Sequence, residues 1–155
     1  FRSYNKLEGG RSRLMLTVFV RELLSAAPTA NPNSIVLSGY ICKQPIYRTT
    51  PFNREIADLL LAVNRAYNKS DYIPCIAWGR NARFVQNLKV GDRVALSGRI
   101  QSREYVKKLS DTEQVTMTAY EVSVSKLAAF DEDENFDLDG EFNLYAAPAS
   151  AHSVQ

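Results

Sequence analysis

Residues 71–80, with the sequence DYIPCIAWGR, constrain the fold more than any other stretch of the chain. Side chains alternate between the two faces of a β-strand, and here the alternation separates aromatic from small apolar side chains. One face would carry Tyr72, Ile76 and Trp78, and the other Ile73, Cys75 and Ala77. Because Pro74 has no backbone N–H, the strand should place it at an edge or a bulge. The pattern predicts a half-buried strand that displays two rings, with burial of both rings in a core as the alternative.

Composition excludes several classes of function. The chain has 155 residues, which suits one domain with appendages. Its only cysteines and histidine are Cys42, Cys75 and His152, so we expect no metal site, no cofactor and no histidine-based catalysis. Both cysteines lie in apolar runs, where a buried, reduced thiol is expected. No stretch has the features of a membrane span or a secretory signal, which predicts a cytoplasmic protein, and the start at Phe1 predicts a fragment or a processed product.

Charge is unevenly distributed along the chain. The formal net charge of +2 divides into +3 for residues 1–32, +6 for residues 33–127 and −7 for residues 128–155. A basic body indicates a polyanionic partner. The acidic composition of residues 128–155 predicts a disordered tail that competes for the basic body or recruits another protein.

The sequence pattern of residues 1–27 indicates a β-hairpin. Residues 14–23 are rich in β-forming side chains, Gly9-Gly10 signals a turn before them, and residues 1–6 supply the first strand. A similar hairpin composition recurs near the end of the body. We therefore expect residues 1–27 to be the C-terminal hairpin of a preceding, truncated domain of the same kind. Two unrelated hairpins of similar composition are the alternative.

Residues 33–127 form the predicted body, preceded by a linker at residues 28–32. Strands are predicted at residues 34–42, 55–64, 71–78, 93–101 and 115–124. Intrinsic propensity would make residues 55–64 a helix, but their inward alternation and the turn-forming residues that follow favour a strand. Glycines in the middle of two strands, Gly39 and Gly98, are typical of strands that bend sharply.

The connections between these strands complete the fold prediction. A short helix, capped by Asn81 and closed by Gly91, is predicted between the third and fourth strands. Residues 43–54 have the composition of a polar connection, residues 105–114 that of a flexible hairpin arm, and a change of phase predicts a bulge near Ala119. Five short strands with one helix before the fourth favour an all-β, five-stranded Greek-key barrel, the OB-fold, over a sandwich of about seven strands.

Five blocks of the body together resemble the bacterial single-stranded DNA-binding protein family. They are NSIVLSGY (33–40), AVNRAY (62–67), DYIPCIAWGR (71–80), KVGDRV (89–94) and GRIQSREY (98–105). The resemblance covers about residues 33–127. It implies an OB-fold that binds single-stranded DNA without reading its sequence, in replication, recombination and repair and hence at the nucleoid. It also implies a protein without enzymatic activity that forms homo-oligomers, in which four OB domains act together.

The resemblance further implies which side chains contact DNA. Bases would stack on one aromatic residue after the second strand, two on the third strand and one after the GRIQSR block. These are Tyr67, Tyr72, Trp78 and Tyr105. Tyr40 and Tyr47 stay open, and Phe84 is better explained by packing of the helix. The arginines on the same strands and loops are candidate phosphate contacts, with a solvated surface charge as the alternative for each. They are Arg48, Arg54, Arg65, Arg80, Arg99 and Arg103.

Two features depart from the family pattern. Family members commonly end in a short acidic tip with a terminal aromatic residue that docks on replication or repair proteins, whereas here residues 146–155 follow the acidic run at 131–139. The N-terminal hairpin resembles forms that carry two OB domains in one chain. The alternative function is an OB-fold protein–protein interaction module of a replication or phage complex, because one fold hosts many functions. A hydrolase or nuclease that holds a metal in the acidic tail is a remote third hypothesis.

Overall fold

The computed structural model of the chain describes residues 1–23, 25, 32–130 and 152–153. The predicted linker, apart from its last residue, and the acidic run of the predicted tail lie outside the described residues. The elements are β1 (Arg2–Glu8), β2 (Arg11–Thr17), β3 (Ile35–Ile41), β4 (Ile46–Thr49), β5 (Glu55–Arg65), β6 (Lys69–Trp78), α1 (Arg80–Val85), β7 (Arg93–Lys108), β8 (Gln114–Phe130) and β9 (His152–Ser153).

Five strands close into a barrel in the order β3-β7-β8-β6-β5, with β5 pairing back onto β3. All of these pairings are antiparallel except that between β6 and β8, which is parallel. The short helix α1 lies between the third and fourth barrel strands. The predicted all-β OB-fold is therefore confirmed. Two short strands add to the barrel, β4 beside β5 and β9 beside the end of β8.

The β5 strand shows how alternation outweighs helix propensity. Ala57, Leu59 and Leu61 are each at most 4% exposed and belong to the barrel core. A helix would have spread these side chains around its circumference, whereas the strand directs all three inward. The core is closed at one end by α1, whose Ala82 and Val85 are fully buried.

The two mid-strand glycines lie where strands approach each other closely. A Cβ atom on Gly39 would overlap the carbonyl oxygen of Ala62, and one on Gly98 would overlap that of Ser123. The β7–β8 register also shifts between Ser97 and Gly98. Both positions therefore require glycine, as the prediction of sharply bent strands anticipated.

The predicted bulge near Ala119 is wrong. Ala119 pairs with Arg103 in a continuous register. The irregularity lies at Ser125, which has no pairing residue on β7, because Ser97 pairs with Lys126 and Gly98 with Val124. The misplacement has a physical reason. Met117 and Ala119 lie in a part of β8 that projects beyond the core and is half-buried or exposed, so hydrophobic phase carries little information there.

The ends of α1 also differ from the prediction. The N-cap residue is Gly79 (φ 57°) rather than Asn81, and no side chain caps the helix. Asn81 lies inside the helix and donates its Nδ2–H to the carbonyl of Ser125 (3.2 Å). Gly91 (φ 97°) comes after the end of the helix at Val85, and its N–H donates to the carbonyl of Ile41 (2.7 Å). It therefore ties the connection after α1 to β3.

Three segments differ from the prediction in how many of their residues form strands. Half of the arm at residues 105–114 is paired, because β7 continues to Lys108 and β8 begins at Gln114. The polar connection at residues 43–54 contains β4. The hairpin strand β2 stops at Thr17, so residues 18–23 are not strand, while β8 continues three residues past the expected body to Phe130.

Candidate nucleic-acid interface

The β6 strand carries two half-exposed rings on the outer face of the barrel. Tyr72 is 42% exposed and Trp78 is 38% exposed, whereas Ile73, Cys75 and Ala77 are at most 2% exposed. Tyr72 and Trp78 thus follow the predicted alternation, whereas Ile76, predicted on the same open face, is only 3% exposed. The alternative, burial of both rings in the core, does not describe this chain.

Pro74 lies at an open edge, as predicted. It pairs with Leu60, whose carbonyl accepts the N–H of Cys42 (3.3 Å) and so points away from β6. In an antiparallel ladder such a pair is not hydrogen-bonded, and the nitrogen of Pro74 faces the other side of β6. On that side the first pair with β8 is formed by Cys75 and Val122. The proline therefore lacks a donor at a position where no described strand pairs with this side of β6.

The ring of Trp78 is anchored to the neighbouring strand. Its indole Nε1–H donates to the Oγ of Ser123 on β8 (3.3 Å). Ser123 pairs with Ile76 on one side and with Arg99 on the other. Cross-strand partners share a face of the sheet, so Arg99 lies on the same face as the indole.

A cleft of about 220 Å³ lies on the same face, between the β3–β5 connection and the β7–β8 ribbon. Its floor includes Leu60 and Pro74. Polar side chains from both walls and the floor line it: Lys43, Gln44, Asp58, Arg103 and Glu121. The ribbon residue Tyr105 is 40% exposed and has the same strand phase as Arg103, which extends the face along the ribbon.

Three of the predicted arginines are held by carboxylates. Arg48 lies 3.1 Å from Asp58, and Arg103 lies 3.1 Å from Glu121. The third, Arg65, has its Nε 2.8 Å from the Oδ2 of buried Asp71, although its N–H does not point at that oxygen. In each pair the arginine is more exposed than the carboxylate. The arginine heads are therefore fixed at the surface with part of their charge neutralised.

The other predicted residues are more dispersed. Arg54 and Arg99 are exposed and have no ion-pair partner among the described residues, and Arg80 is the exposed first residue of α1. Tyr67 is 94% exposed at the tip of the β5–β6 turn, with φ 62°. It lies on the same hairpin as Tyr72, although on the turn rather than on the sheet face.

Sequence reasoning left some side chains of this face unassigned. Tyr40 is 40% exposed and pairs with Ala62, which on its other side pairs with Tyr72, so the two tyrosines flank one small residue on a common face. Only the strand register could have revealed this. Tyr47, by contrast, pairs with the buried Ala57 and packs against the core, and Phe84 packs there as well, as predicted.

Neither thiol is a candidate nucleophile. Burial raises the pKa of Cys75, and the nearby carboxylate of Glu121 raises it further. Burial also raises the pKa of Cys42 from its ordinary value. Both thiols therefore stay protonated near neutral pH. Among the described residues no group of three or more His, Cys, Asp or Glu side chains could hold a metal, and no helix has the length and apolarity of a membrane span.

In a comparison with known protein families, residues 32–129 match the sequence model of the Single-strand binding protein family. Single-stranded DNA-binding protein 1 of Staphylococcus aureus (strain COL) is 40% identical over 80 residues, which cover 47% of this chain and 48% of that protein. Single-stranded DNA-binding protein 2 of Listeria monocytogenes (strain EGD-e) is 35% identical over 115 residues, covering 70% and 69%. The chain thus spans about half the length of the first of these relatives and about two thirds of the second.

Among solved structures, the dimeric N-terminal domain of the PriB protein from Thermoanaerobacter tencongensis aligns with a TM-score of 0.48 at 21% sequence identity. The alignment covers 64% of this chain and 98% of that domain.

Proposed function

Because the chain belongs to the single-strand binding protein family, we propose that it binds single-stranded DNA without reading the base sequence. The observation that carries the proposal is the pair of half-exposed rings, Tyr72 and Trp78, on one face of β6 beside a cleft. Every base has a π-face, so stacking on such rings tolerates any sequence and contributes about 1–3 kcal/mol per base. The indole bond to Ser123 keeps one ring oriented for stacking before DNA arrives.

The arginines supply the second part of the binding energy. Arg99, exposed on the same face as Trp78, is free to contact a phosphate. Arg48 and Arg103 would exchange a carboxylate for a phosphate when DNA enters the cleft. This exchange costs the ion pair that each loses, so these two contacts contribute less than a free arginine would. Stacking on Tyr67 and Tyr105 and phosphate contacts from Arg54, Arg65 and Arg80 belong to the same proposal.

The direct test is a titration of the intrinsic fluorescence with oligo(dT). Trp78 is the single tryptophan of the chain, so the signal reports on one position of the interface. We expect saturable quenching, similar affinities for oligo(dT) and a mixed-sequence oligonucleotide, and weak binding of duplex DNA. A titration without quenching, and without a mobility shift of labelled oligonucleotide, would contradict the proposal and leave an OB-fold that binds other proteins.

We infer the wider role from the family alone. The chain would act as a homo-oligomer in the cytoplasm, at the nucleoid, in DNA replication, recombination and repair, by binding rather than by catalysis. Recruitment of replication or repair proteins by the acidic tail is part of this inference. Light scattering with and without oligo(dT) measures the oligomeric state, and pull-downs with and without residues 131–155 test recruitment.

A further inference from the structure

The N-terminal hairpin is fixed to the barrel strand that carries the two rings. Its strands β1 and β2 pair in a continuous antiparallel register around the two-residue turn Gly9-Gly10, in which both residues have positive φ. Ser3 is 8% exposed and makes the contact. Its N–H donates to the Oδ1 of Asp71 (2.9 Å), and its Oγ accepts the N–H of Tyr72 (2.6 Å).

This contact occupies the open edge of β6. Tyr72 and Pro74 both direct their backbone nitrogens away from β5, since they have the same strand phase. Pro74 has no N–H, and the pairing with β8 begins only at Cys75. Between Asp71 and Pro74 the one backbone donor of that edge is therefore the N–H of Tyr72, and Ser3 satisfies it. An unsatisfied donor here would leave the backbone of Tyr72 free to move or to pair with another strand.

Asp71 connects this contact of Ser3, which we call the Ser3 clamp, to the β5–β6 turn. Its side chain is 3% exposed, so the carboxylate has lost most of its hydration. One oxygen accepts the N–H of Ser3, and the other lies 2.8 Å from the Nε of Arg65. Arg65 is the last residue of β5, directly before the turn that carries Tyr67. A single buried carboxylate thus joins the hairpin, the backbone next to Tyr72 and a cation beside the turn.

We propose that Ser3 and Asp71 are positioning residues for DNA binding, and that the hairpin presents the ring of Tyr72 in its stacking position. This rests on the proposed function. Holding the backbone N–H of Tyr72 and the side chain of the preceding Asp71 removes conformational freedom before the base arrives, so less entropy is lost on stacking. The hairpin is then part of the binding unit of this barrel, whatever precedes it in the chain.

The test is a double-mutant cycle on the affinity for oligo(dT). Ser3→Ala removes the acceptor of the Tyr72 N–H and should weaken binding about three- to tenfold, a part of what one stacked base contributes. Ser3→Thr keeps the hydroxyl and should restore most of the affinity. If Ser3 acts through Tyr72, the double variant Ser3→Ala/Tyr72→Ala should bind as Tyr72→Ala alone does. In the matched control Ser3→Ala/Trp78→Ala, the two losses should multiply.

Amide hydrogen exchange at Tyr72 provides a readout that does not depend on DNA. Ser3→Ala should accelerate exchange of this one amide, while amides of the β7–β8 ribbon keep their rates. The positioning role is overturned if Ser3→Ala leaves both affinity and exchange unchanged, or if its loss of affinity multiplies with Tyr72→Ala as it does with Trp78→Ala. If the wild-type chain fails to bind oligo(dT) but Ser3→Ala accelerates the exchange, the proposed function is overturned. The conclusion that Ser3 holds the backbone of Tyr72 would then still stand.

Discussion

Truncating the rings of β6 separates stacking from packing. We expect Trp78→Ala and Tyr72→Ala to fold and to lose affinity for oligo(dT). The reason is that each ring has one surface against the barrel and another open to solvent, with 38% of Trp78 and 42% of Tyr72 exposed. Only the open surface is available to a base.

The open surface sets the size of the effect. A large aromatic side chain has about 250 Å² of surface, so the 38% exposure of Trp78 leaves about 95 Å² for a base. At about 25 cal/mol per Å², covering all of it contributes at most about 2.4 kcal/mol. For a ring of about 200 Å², the 42% exposure of Tyr72 gives about 85 Å² and about 2 kcal/mol. Both values fall within the range measured for single stacked bases.

The assay is a pair of measurements on each variant. Binding isotherms followed by mobility shift give the affinity, since Trp78→Ala has no tryptophan signal, and thermal melts give the stability. We expect a loss of affinity of about 1–2 kcal/mol for each variant and a loss of stability below the roughly 3–5 kcal/mol that follows truncation of a fully buried aromatic residue. Tyr120→Ala is the matched control. Tyr120 is 54% exposed but has the opposite strand phase to Arg103 and Tyr105, so its loss should leave affinity unchanged.

Two outcomes would refute this reasoning. A large fall in melting temperature with unchanged affinity per folded molecule would mean that the rings serve packing alone. An equal loss of affinity in Tyr120→Ala would mean that DNA does not distinguish the two faces of the ribbon, and the face built around Trp78 would not be the interface.

Three further predictions concern charge and thiol chemistry. Arg99→Ala should reduce the steepness of log K against log salt by about 0.7, the value for one phosphate on a single strand. Arg48→Ala should reduce it less, because Asp58 already neutralises part of the charge. Titrations at several salt concentrations measure both changes, and equal changes in the two variants would contradict the reasoning. Deleting residues 131–155 removes seven acidic and no basic residues, which changes the formal net charge from +2 to +9. Affinity at low salt should rise, and the gain should disappear at about 1 M salt, where the screening length is about 3 Å. Cys75, with its pKa raised by burial, should resist a thiol reagent at pH 8 in the folded protein and react after denaturation; rapid labelling of both thiols in the folded state would show that the strand opens.

The barrel could be predicted because its signals are local. Alternation over β5 and β6 and turns at polar residues each act within a few residues. The glycines at positions 39 and 98 are also visible in the sequence, although the carbonyl groups that require them belong to other strands. The errors occur where the signal depends on a distant partner. Asn81 has the side chain of an N-cap, yet it donates to the carbonyl of Ser125, a residue far along the chain. The bulge opposite Gly98 is likewise decided by how β8 pairs with β7 within the core.

Of the site, the sequence could suggest the rings but not how they are held. Nothing in the composition of residues 1–27 indicates that Ser3 would meet Asp71, because the contact joins segments 68 residues apart. The structure places the hairpin against β6 in this chain, an arrangement that its likeness to the later hairpin could not anticipate. A register across three strands was needed to bring Tyr40 beside Tyr72.

The charges of the interface illustrate the same limit with a consequence for mechanism. The sequence suggests six arginines as candidate phosphate contacts, but Arg48, Arg65 and Arg103 each lie close to a carboxylate. In the proposed complex each of these three would exchange an existing partner for a phosphate, so counting cations overstates the expected electrostatic contribution to binding. The rings carry no such cost, because their open surfaces have only water to displace. We therefore expect a salt slope well below the roughly −4 that six phosphate contacts would give at about −0.7 each, with stacking supplying most of the remaining affinity at high salt.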